Sequence, residues 1–148
     1  MGGLNTILSF KNKVEEAERE LSSGSLMQEL VLEHEKEIVE ANKEQLYEFG
    51  QNPLGISLGS YTPYTIKRKI EKGQPYDRVT LKDSGDFYAG FHLEADNTGF
   101  TITSSDWKTG ELLARWGQIF GLTVANRLHL AWTLLFPALY NRIKSILI

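Results

Sequence analysis

Cysteine is missing from this chain of 148 residues, and methionine is scarce, with two copies. Without cysteine the protein can form neither disulfide bonds nor thiolate metal sites, and a cysteine nucleophile is excluded. An apolar stretch as long as a membrane span is also missing, because polar residues and a proline interrupt the most apolar segment, residues 128–140. The N-terminal residues carry none of the features of an export signal. We therefore expect no disulfide bonds and no membrane partner.

A large excess of one charge sign is missing as well. The chain has 19 acidic and 16 basic residues, a formal net charge of −3 and a pI of about 5.6. This balance disfavours an obligate nucleic-acid binder, although it leaves room for a local basic patch. A hydrophobic content of 41% and a length of 148 residues are typical of one globular domain. We expect a single domain covering residues 1–148.

The sequence motifs of the common enzyme classes do not occur. The chain contains no G-x-S-x-G elbow, no G-x-x-x-x-G-K-[ST] loop and no G-x-G-x-x-G loop. His92 and Glu94 lie on one face of a predicted strand, but no third metal ligand follows at a recognisable spacing. We predict that the protein is not an enzyme and has no catalytic residue, no metal and no cofactor.

The first third of the chain is predicted to be helical and highly charged. Apolar residues recur at steps of three and four across residues 4–21, with Glu and Lys between them. A second helix is expected across residues 26–49, with Ser25 as its N-cap. Together these segments form a predicted helical N-terminal arm, residues 1–49.

A loop and a β-hairpin are predicted to form the core, residues 50–122. Thr62 and Pro63 begin a short helix that ends at Gly73. Alternating residues 91–95 and 100–104 predict a hairpin, whose short turn requires a positive φ at Gly99.

The last segment, residues 123–148, is predicted to be a helix. Thr123 is its expected N-cap, and Pro137 should kink or divide it because proline removes one backbone hydrogen bond. The predicted fold class is therefore α+β, with N- and C-terminal helices packed around a small, mostly antiparallel β-sheet.

The tripeptide Asp83-Ser84-Gly85 has the spelling of an aspartic protease motif. Such an enzyme needs two carboxylates with apolar walls, whereas Lys82 and Asp86 flank this triplet with charge. We favour a structural interpretation, in which Asp83 or Ser84 caps a short helix that begins near Asp86. The dimeric protease remains an alternative.

Two further groups of residues are candidates for contacts with partners. The basic cluster Lys67, Arg68, Lys69 and Lys72, beside nearby tyrosines, could contact phosphate, although a solvated helix face is the alternative. Aromatic residues enrich interfaces, so the glycine-punctuated segment 107–122 and the alternating loop 50–61 are candidate contact surfaces, with a core lid as the alternative for the first. The candidate interface residues are Trp107, Trp116, Ile119, Phe120, Leu122, Leu54, Ile56 and Leu58.

Three segments together resemble a known family. "LGSYTPYTIKRKIEKG", "VTLKDSGDFYAGFHLEA" and "LLARWGQIFGLT" occur in this order, with a hairpin before the last. The arrangement, over residues 50–123, resembles the tail-completion or neck proteins of tailed bacteriophages, also called virion morphogenesis proteins. The matching positions are Thr62, Pro63, Thr65, Lys67 and Lys69 in the first segment, Leu81, Ser84, Gly85 and Phe87 in the second, and Trp116 and Gly117 in the third.

The resemblance implies a structural role without catalysis. Family members form rings of identical copies that join head and tail, so it implies other virion proteins as partners and a place in the virion after assembly in the host bacterial cytoplasm. A closed ring needs two different surfaces on each copy. The alternative, from a different class, is a small nucleic-acid-binding accessory protein that uses the basic patch of residues 67–72.

Overall fold

The computed structural model describes residues 2–148. Within them, helices flank one small two-stranded antiparallel sheet, so the predicted α+β fold class is confirmed. None of these helices combines the length and the apolar character that a membrane span requires. The elements are α1 (Gly2–Ser23), α2 (Ser25–Glu33), α3 (Glu35–Phe49), α4 (Pro63–Glu71), α5 (Asp86–Ala89), β1 (Phe91–Ala95), β2 (Phe100–Ser104), α6 (Thr109–Trp116), α7 (Val124–Leu130), a π-helical segment (Ala131–Leu135) and α8 (Phe136–Leu147).

Residue contacts group the chain into two compact units. Unit 1 comprises Met1–His34, Ala95–Phe100 and His129–Ile148, and unit 2 comprises Glu35–Glu94 and Thr101–Leu128. This grouping cuts across the predicted segments 1–49, 50–122 and 123–148. The expectation of a single domain stays a prediction.

Unit 1 is built from α1, α2, α8 and the turn of the hairpin. Its buried apolar residues include Ala17 on α1 and Leu26 and Leu30 on α2. Arg142 on α8 donates to the carboxylates of Glu29 and Glu33 on α2, at 3.1 and 3.0 Å. These two ion pairs therefore join α8 to α2.

The start of α2 differs from the prediction. Gly24, not Ser25, occupies the N-cap position, with φ of 77° and no side-chain cap bond. A side chain at Gly24 would collide with the backbone carbonyl of Asn97, since an added Cβ would lie 2.1 Å from that oxygen. The hairpin turn therefore requires glycine at this position.

The predicted helix across residues 26–49 is divided in two. His34 leaves helical geometry at φ −109° and ψ 20°, and its N–H is shared between the carbonyls of Leu30 and Val31 at 3.2 Å each. The hydrophobic period continues through this break, which is why the pattern alone predicted one helix.

The hairpin forms where it was predicted, but its turn is closed by a different interaction from the one predicted. Gly99 has no positive φ. Instead, the carboxylate of Asp96 accepts hydrogen bonds from the N–H groups of Thr98 and Gly99, at 2.7 and 3.0 Å. This side-chain turn closes the loop, so glycine needs no left-handed backbone there.

Pro137 divides the C-terminal helix as predicted. The segment Ala131–Leu135 is π-helical and directly precedes α8, in which Pro137 lies in the first turn. Because proline has no N–H, the regular hydrogen-bond ladder cannot continue through it, and a π-helical turn is one way in which a helix accommodates such a break.

The core of unit 2 contains three residues that were predicted to form an interface. Ile119, Phe120 and Leu122 are 0%, 6% and 5% exposed, so the interface prediction is wrong for them and the core-lid alternative applies. Two buried amides of α3 fasten their segment. The Asn42 side chain accepts from the N–H of Gly121 at 2.9 Å, and the Gln45 side chain donates to the Gly121 carbonyl at 3.1 Å.

Candidate functional site

Unit 2 contains a cavity of about 430 Å³, which we call the basic pocket. Its walls come from α4, from the 81–87 turn and from α6, three segments that are distant in the sequence. Aromatic and aliphatic side chains line part of it, namely Tyr61, Tyr64, Leu81, Phe87, Leu112 and Trp116. Its charged lining residues are Arg68, Lys69, Lys72, Lys82, Lys108 and Arg115, with Asp83 as the one carboxylate.

Helix α4 and its C-cap residue Lys72 present three of these cations, and local capping fixes the start of the helix. The hydroxyl of Thr62 accepts from the N–H of Thr65 at 3.3 Å, and Pro63 occupies the first turn, as predicted. The helix ends at Glu71, and Gly73 takes the left-handed conformation expected for it, with φ of 66°. Arg68, Lys69 and Lys72 line the cavity, whereas Lys67 is exposed and lies outside it.

Tyr61 organises the turn that forms another wall. Its hydroxyl oxygen accepts from the backbone N–H groups of Thr80 and Leu81, at 2.9 and 3.1 Å. Leu81 has φ of 56° and is the one non-glycine residue with positive φ among residues 2–148. Strained backbone of this kind persists only where the surroundings impose it, and it is typical of binding sites.

Lys69 is the most buried cation of the pocket, with 7% exposure. Its ammonium group donates to the Lys82 carbonyl at 2.9 Å and to the Gln74 side chain at 3.3 Å, both of which are neutral acceptors. It also lies 5.0 Å from the centre of the Tyr61 ring. The positive charge of Lys69 is therefore held by dipoles and an aromatic face.

Three further cations rest on aromatic rings. The Lys82 ammonium lies 5.0 Å from the Tyr47 ring centre, and the Arg115 guanidinium lies 5.3 Å from that of Trp116. Lys108 stands over its neighbour Trp107 at 5.5 Å. Ring faces position these side chains without neutralising their charge.

Asp83 is the one carboxylate of the pocket, and it forms an ion pair with Lys72. Lys72 donates to its carboxylate at 2.7 Å, and this hydrogen bond is the main reason that the pKa of Asp83 is lowered, with partial burial opposing the shift. Gln74 adds a second hydrogen bond at 3.3 Å. The carboxyl group is therefore ionised and engaged at neutral pH.

The Asp-Ser-Gly tripeptide forms a turn at the edge of the pocket. The predicted helix is present as α5, with Gly85 at its N-cap position and a φ of 96°. The Ser84 hydroxyl accepts from the N–H of Asp86 at 3.4 Å, so Ser84 caps the first helical N–H as one of the two expected residues, whereas the Asp83 carboxylate binds Lys72 and Gln74 instead. Ser84 donates to the Asp86 carboxylate at 2.8 Å. Gly85 provides the left-handed conformation that this turn needs, and the Ser84 side chain fixes the start of the helix through its hydrogen bonds with Asp86.

The pocket is lined both by residues of the segment around the Asp-Ser-Gly tripeptide, which contributes to the family resemblance, and by three residues of the basic cluster. Leu81, Asp83, Ser84, Gly85 and Phe87 all contribute to its lining. Trp116, predicted as an interface residue, lines it too, in edge contact with the Tyr61 ring at 6.2 Å. Gly117 lies just beyond α6, where its φ of 73° ends the helix.

Sequence reasoning missed Lys82, Lys108 and Arg115. Lys108 follows Trp107 and Arg115 precedes Trp116, so each cation is the sequence neighbour of a tryptophan. Such adjacency suits a cation resting on a ring, but only the folded chain brings Lys108 and Arg115 to one cavity.

No protein-family model, curated protein or solved structure matches this chain significantly. Within residues 2–148, no group of three His, Cys, Asp or Glu side chains could hold a metal ion. The site is therefore characterised by its own chemistry, which is a concentration of positive charge beside aromatic rings, of which Tyr64 is exposed.

A second feature of unit 2 is the segment 52–58, which we call the loop tip. The Asn52 side chain accepts from the N–H groups of Leu54 and Ile56, each at 3.0 Å. Gln51 and Ser57 pair as an isolated antiparallel bridge, so this loop pairs with itself. Leu54 and Ile56 are 81% and 57% exposed, and Leu58 is half-buried. The fold thus fixes two apolar side chains in an exposed position.

Proposed function

We propose that this protein is a structural component of a tailed-phage virion, forming a ring of identical copies at the neck or tail-completion position between head and tail. The sequence resemblance supports the family assignment. The observation that carries the proposal is that each compact unit exposes closely spaced apolar side chains, on α1 in unit 1 and at the loop tip in unit 2. Contiguous exposed apolar patches often mark the surfaces through which soluble proteins contact partners.

The first surface is the loop tip. Its backbone is held by the Asn52 side chain and by a hydrogen bond from the Asn52 N–H to the Ile56 carbonyl at 2.9 Å. Because these bonds order the loop before any partner binds, association loses little conformational entropy here. The tip is suited to insert Leu54 and Ile56 into a neighbouring copy.

The second surface lies on α1 in unit 1, and we call it the α1 face. Leu4, Ile7 and Leu8 follow the three- and four-residue spacing of one helix side and are 62%, 66% and 49% exposed. An amphipathic helix normally buries such a stripe. A second copy of the chain is the occupant that a ring supplies.

Two unlike surfaces on one chain suit head-to-tail association. When the tip of one copy binds the α1 face of the next, every copy uses both surfaces and the assembly closes if the rotation between copies allows it. A symmetric pair would instead bring identical surfaces together. The two arrangements predict different behaviour of mixed variants.

The test uses two double variants and native mass spectrometry. The tip variant carries Leu54→Ser and Ile56→Ser, and the face variant carries Leu4→Gln and Ile7→Gln. Burial of each such side chain contributes about 1.5–3 kcal/mol, so each double variant should weaken association about 100-fold or more. We expect a closed oligomer for the native chain, monomers for each variant alone, and dimers when the two variants are mixed.

The matched control carries Ile70→Gln and Leu128→Gln, two exposed apolar residues outside both surfaces, each 54% exposed. It should assemble like the native chain. A native chain that stays monomeric at every concentration and enters no particle would contradict the proposal. If the control variant lost assembly to the same extent, the loop tip and the α1 face would not be the specific contact surfaces of the oligomer.

A further inference from the structure

The charge of the basic pocket opposes that of the chain as a whole. Six basic side chains and one carboxylate line it, which gives the cavity a formal charge of +5, whereas the entire chain carries −3. The remainder of the protein therefore carries −8. A concave site with this excess of one sign concentrates anions from solution.

This charge is not consumed by ion pairs within the protein. Of the cations in the lining, Lys72 alone has a carboxylate within salt-bridge distance among residues 2–148, namely Asp83. Lys69 is more than nine-tenths buried and bonded to neutral acceptors. A buried ammonium without a carboxylate partner is costly, and an anion in the cavity would offset that cost.

The cations also have the geometry that phosphate recognition uses. Arg68 and Arg115 approach from α4 and α6, on different walls, and a guanidinium donates two parallel hydrogen bonds to phosphate oxygens. Lysine ammonium groups add point charges between them. A dianion with three terminal oxygens can use this number of donors, whereas a single carboxylate cannot.

Aromatic rings lie beside these charges. Tyr64 is 70% exposed, and its hydroxyl accepts a hydrogen bond from Arg68 at 3.5 Å. Trp116 of α6 also lines the cavity, and the volume of about 430 Å³ is of a size that holds small ligands. An exposed ring next to a phosphate site is a surface on which a nucleobase can stack.

We infer that the basic pocket binds a nucleotide, with the phosphate among Arg68, Lys69 and Arg115 and the base on Tyr64 or Trp116. The nucleotide is either a free nucleoside monophosphate or the 5′ end of a single strand, since both present the same chemistry. This site goes beyond the proposed ring, which does not require it. It also replaces the linear patch of residues 67–72 with a site that excludes Lys67 and includes residues from α6.

Calorimetry at low salt tests the inference with five probes: inorganic phosphate, adenosine monophosphate, adenosine, and a short oligothymidylate with and without a 5′ phosphate. We expect binding of phosphate, binding of the monophosphate at least tenfold tighter, and none of adenosine. A strand that binds only with its 5′ phosphate, and more tightly than the monophosphate, would identify a strand end as the source. The reverse order would identify a free nucleotide.

Two neighbouring residues of α4 provide matched variants. Arg68→Gln and Lys67→Gln each remove one exposed positive charge from the same helix, but only Arg68 lines the pocket. We expect Arg68→Gln and Arg115→Gln each to weaken monophosphate binding about tenfold, the loss typical of a charge-assisted hydrogen bond. Lys67→Gln should change it less than twofold. Tyr64→Ala and Trp116→Ala test the two rings in turn. The variant that removes the stacking ring should weaken binding of the monophosphate and leave binding of inorganic phosphate unchanged, and no such variant would contradict stacking of the base.

Three results would overturn the inference. Equal losses in Lys67→Gln and Arg68→Gln would indicate diffuse attraction to a charged surface. No binding of any phosphate probe at millimolar concentration would show that the pocket is not a phosphate site. Binding of a glutamate-rich peptide, lost in Arg115→Gln, with no binding of phosphate would assign the pocket to an acidic protein segment. Because the readout is ligand binding rather than oligomeric mass, failure here is separate from failure of the ring proposal.

Discussion

At the scale of single residues, the 81–85 turn shows how backbone conformation shapes the site. Leu81 and Gly85 both adopt positive φ, at 56° and 96°, and the Tyr61 hydroxyl holds the first of them. Composition and spacing indicated a turn near the Asp-Ser-Gly tripeptide. They did not indicate that Leu81 takes the left-handed conformation, because that depends on the hydrogen bond that its N–H donates to the hydroxyl of Tyr61, 20 positions earlier.

Two glycine substitutions test this account of the turn. Gly85→Ala should destabilise the protein by about 1–2 kcal/mol through backbone strain alone, since the nearest atom to an added Cβ is the flexible Lys82 Cε at 4.0 Å. Gly110→Ala, on α6 in open space, should stabilise it by up to about 1 kcal/mol through helix propensity. Urea unfolding followed by circular dichroism measures both. If both substitutions changed the free energy of unfolding in the same direction, the proposed difference between the two glycines would be contradicted.

At the scale of elements, the loop tip is better ordered than its composition predicts. Glycine, proline and asparagine indicated a loop that could add a strand to a neighbour. In the structure, the Asn52 side chain and the Gln51–Ser57 bridge close the loop on itself. The polar groups that an added strand would use are therefore partly satisfied, and the exposed apolar side chains are what remains for a partner.

Asn52→Ala tests whether that side chain orders the tip. Each lost hydrogen bond contributes about 0.5–1.5 kcal/mol, so we expect the amides of Leu54 and Ile56 to exchange up to about tenfold faster with deuterium. Ser60→Ala, at an exposed neighbouring position, serves as the control and should leave exchange unchanged. Unchanged exchange in Asn52→Ala would mean that the backbone bonds alone hold the loop.

At the scale of the whole molecule, the two proposals rest on different forces. Ring formation uses apolar surfaces, whereas the pocket uses charge. Raising sodium chloride from about 0.05 to 0.5 M shortens the screening length and should weaken monophosphate binding several-fold, while the oligomeric mass stays the same. Parallel sedimentation and calorimetry across this range measure both quantities. Disassembly of the oligomer at high salt would show that its interface is electrostatic instead.

The sequence by itself determined the fold class, the hairpin, the capped helix α4 and the break at Pro137, because each depends on local periodicity or on a residue with a fixed backbone preference. Only the tertiary structure decided which apolar and charged side chains are exposed to a partner or a ligand. Hydrogen bonds of the Asn42 and Gln45 side chains with the Gly121 backbone fasten the segment in which Phe120 is buried. Folding also brought Arg115 to the cations of α4. The burial of an aromatic side chain and the convergence of cations on one pocket depend on contacts between segments that are distant in the sequence, and no local sequence pattern encodes such contacts.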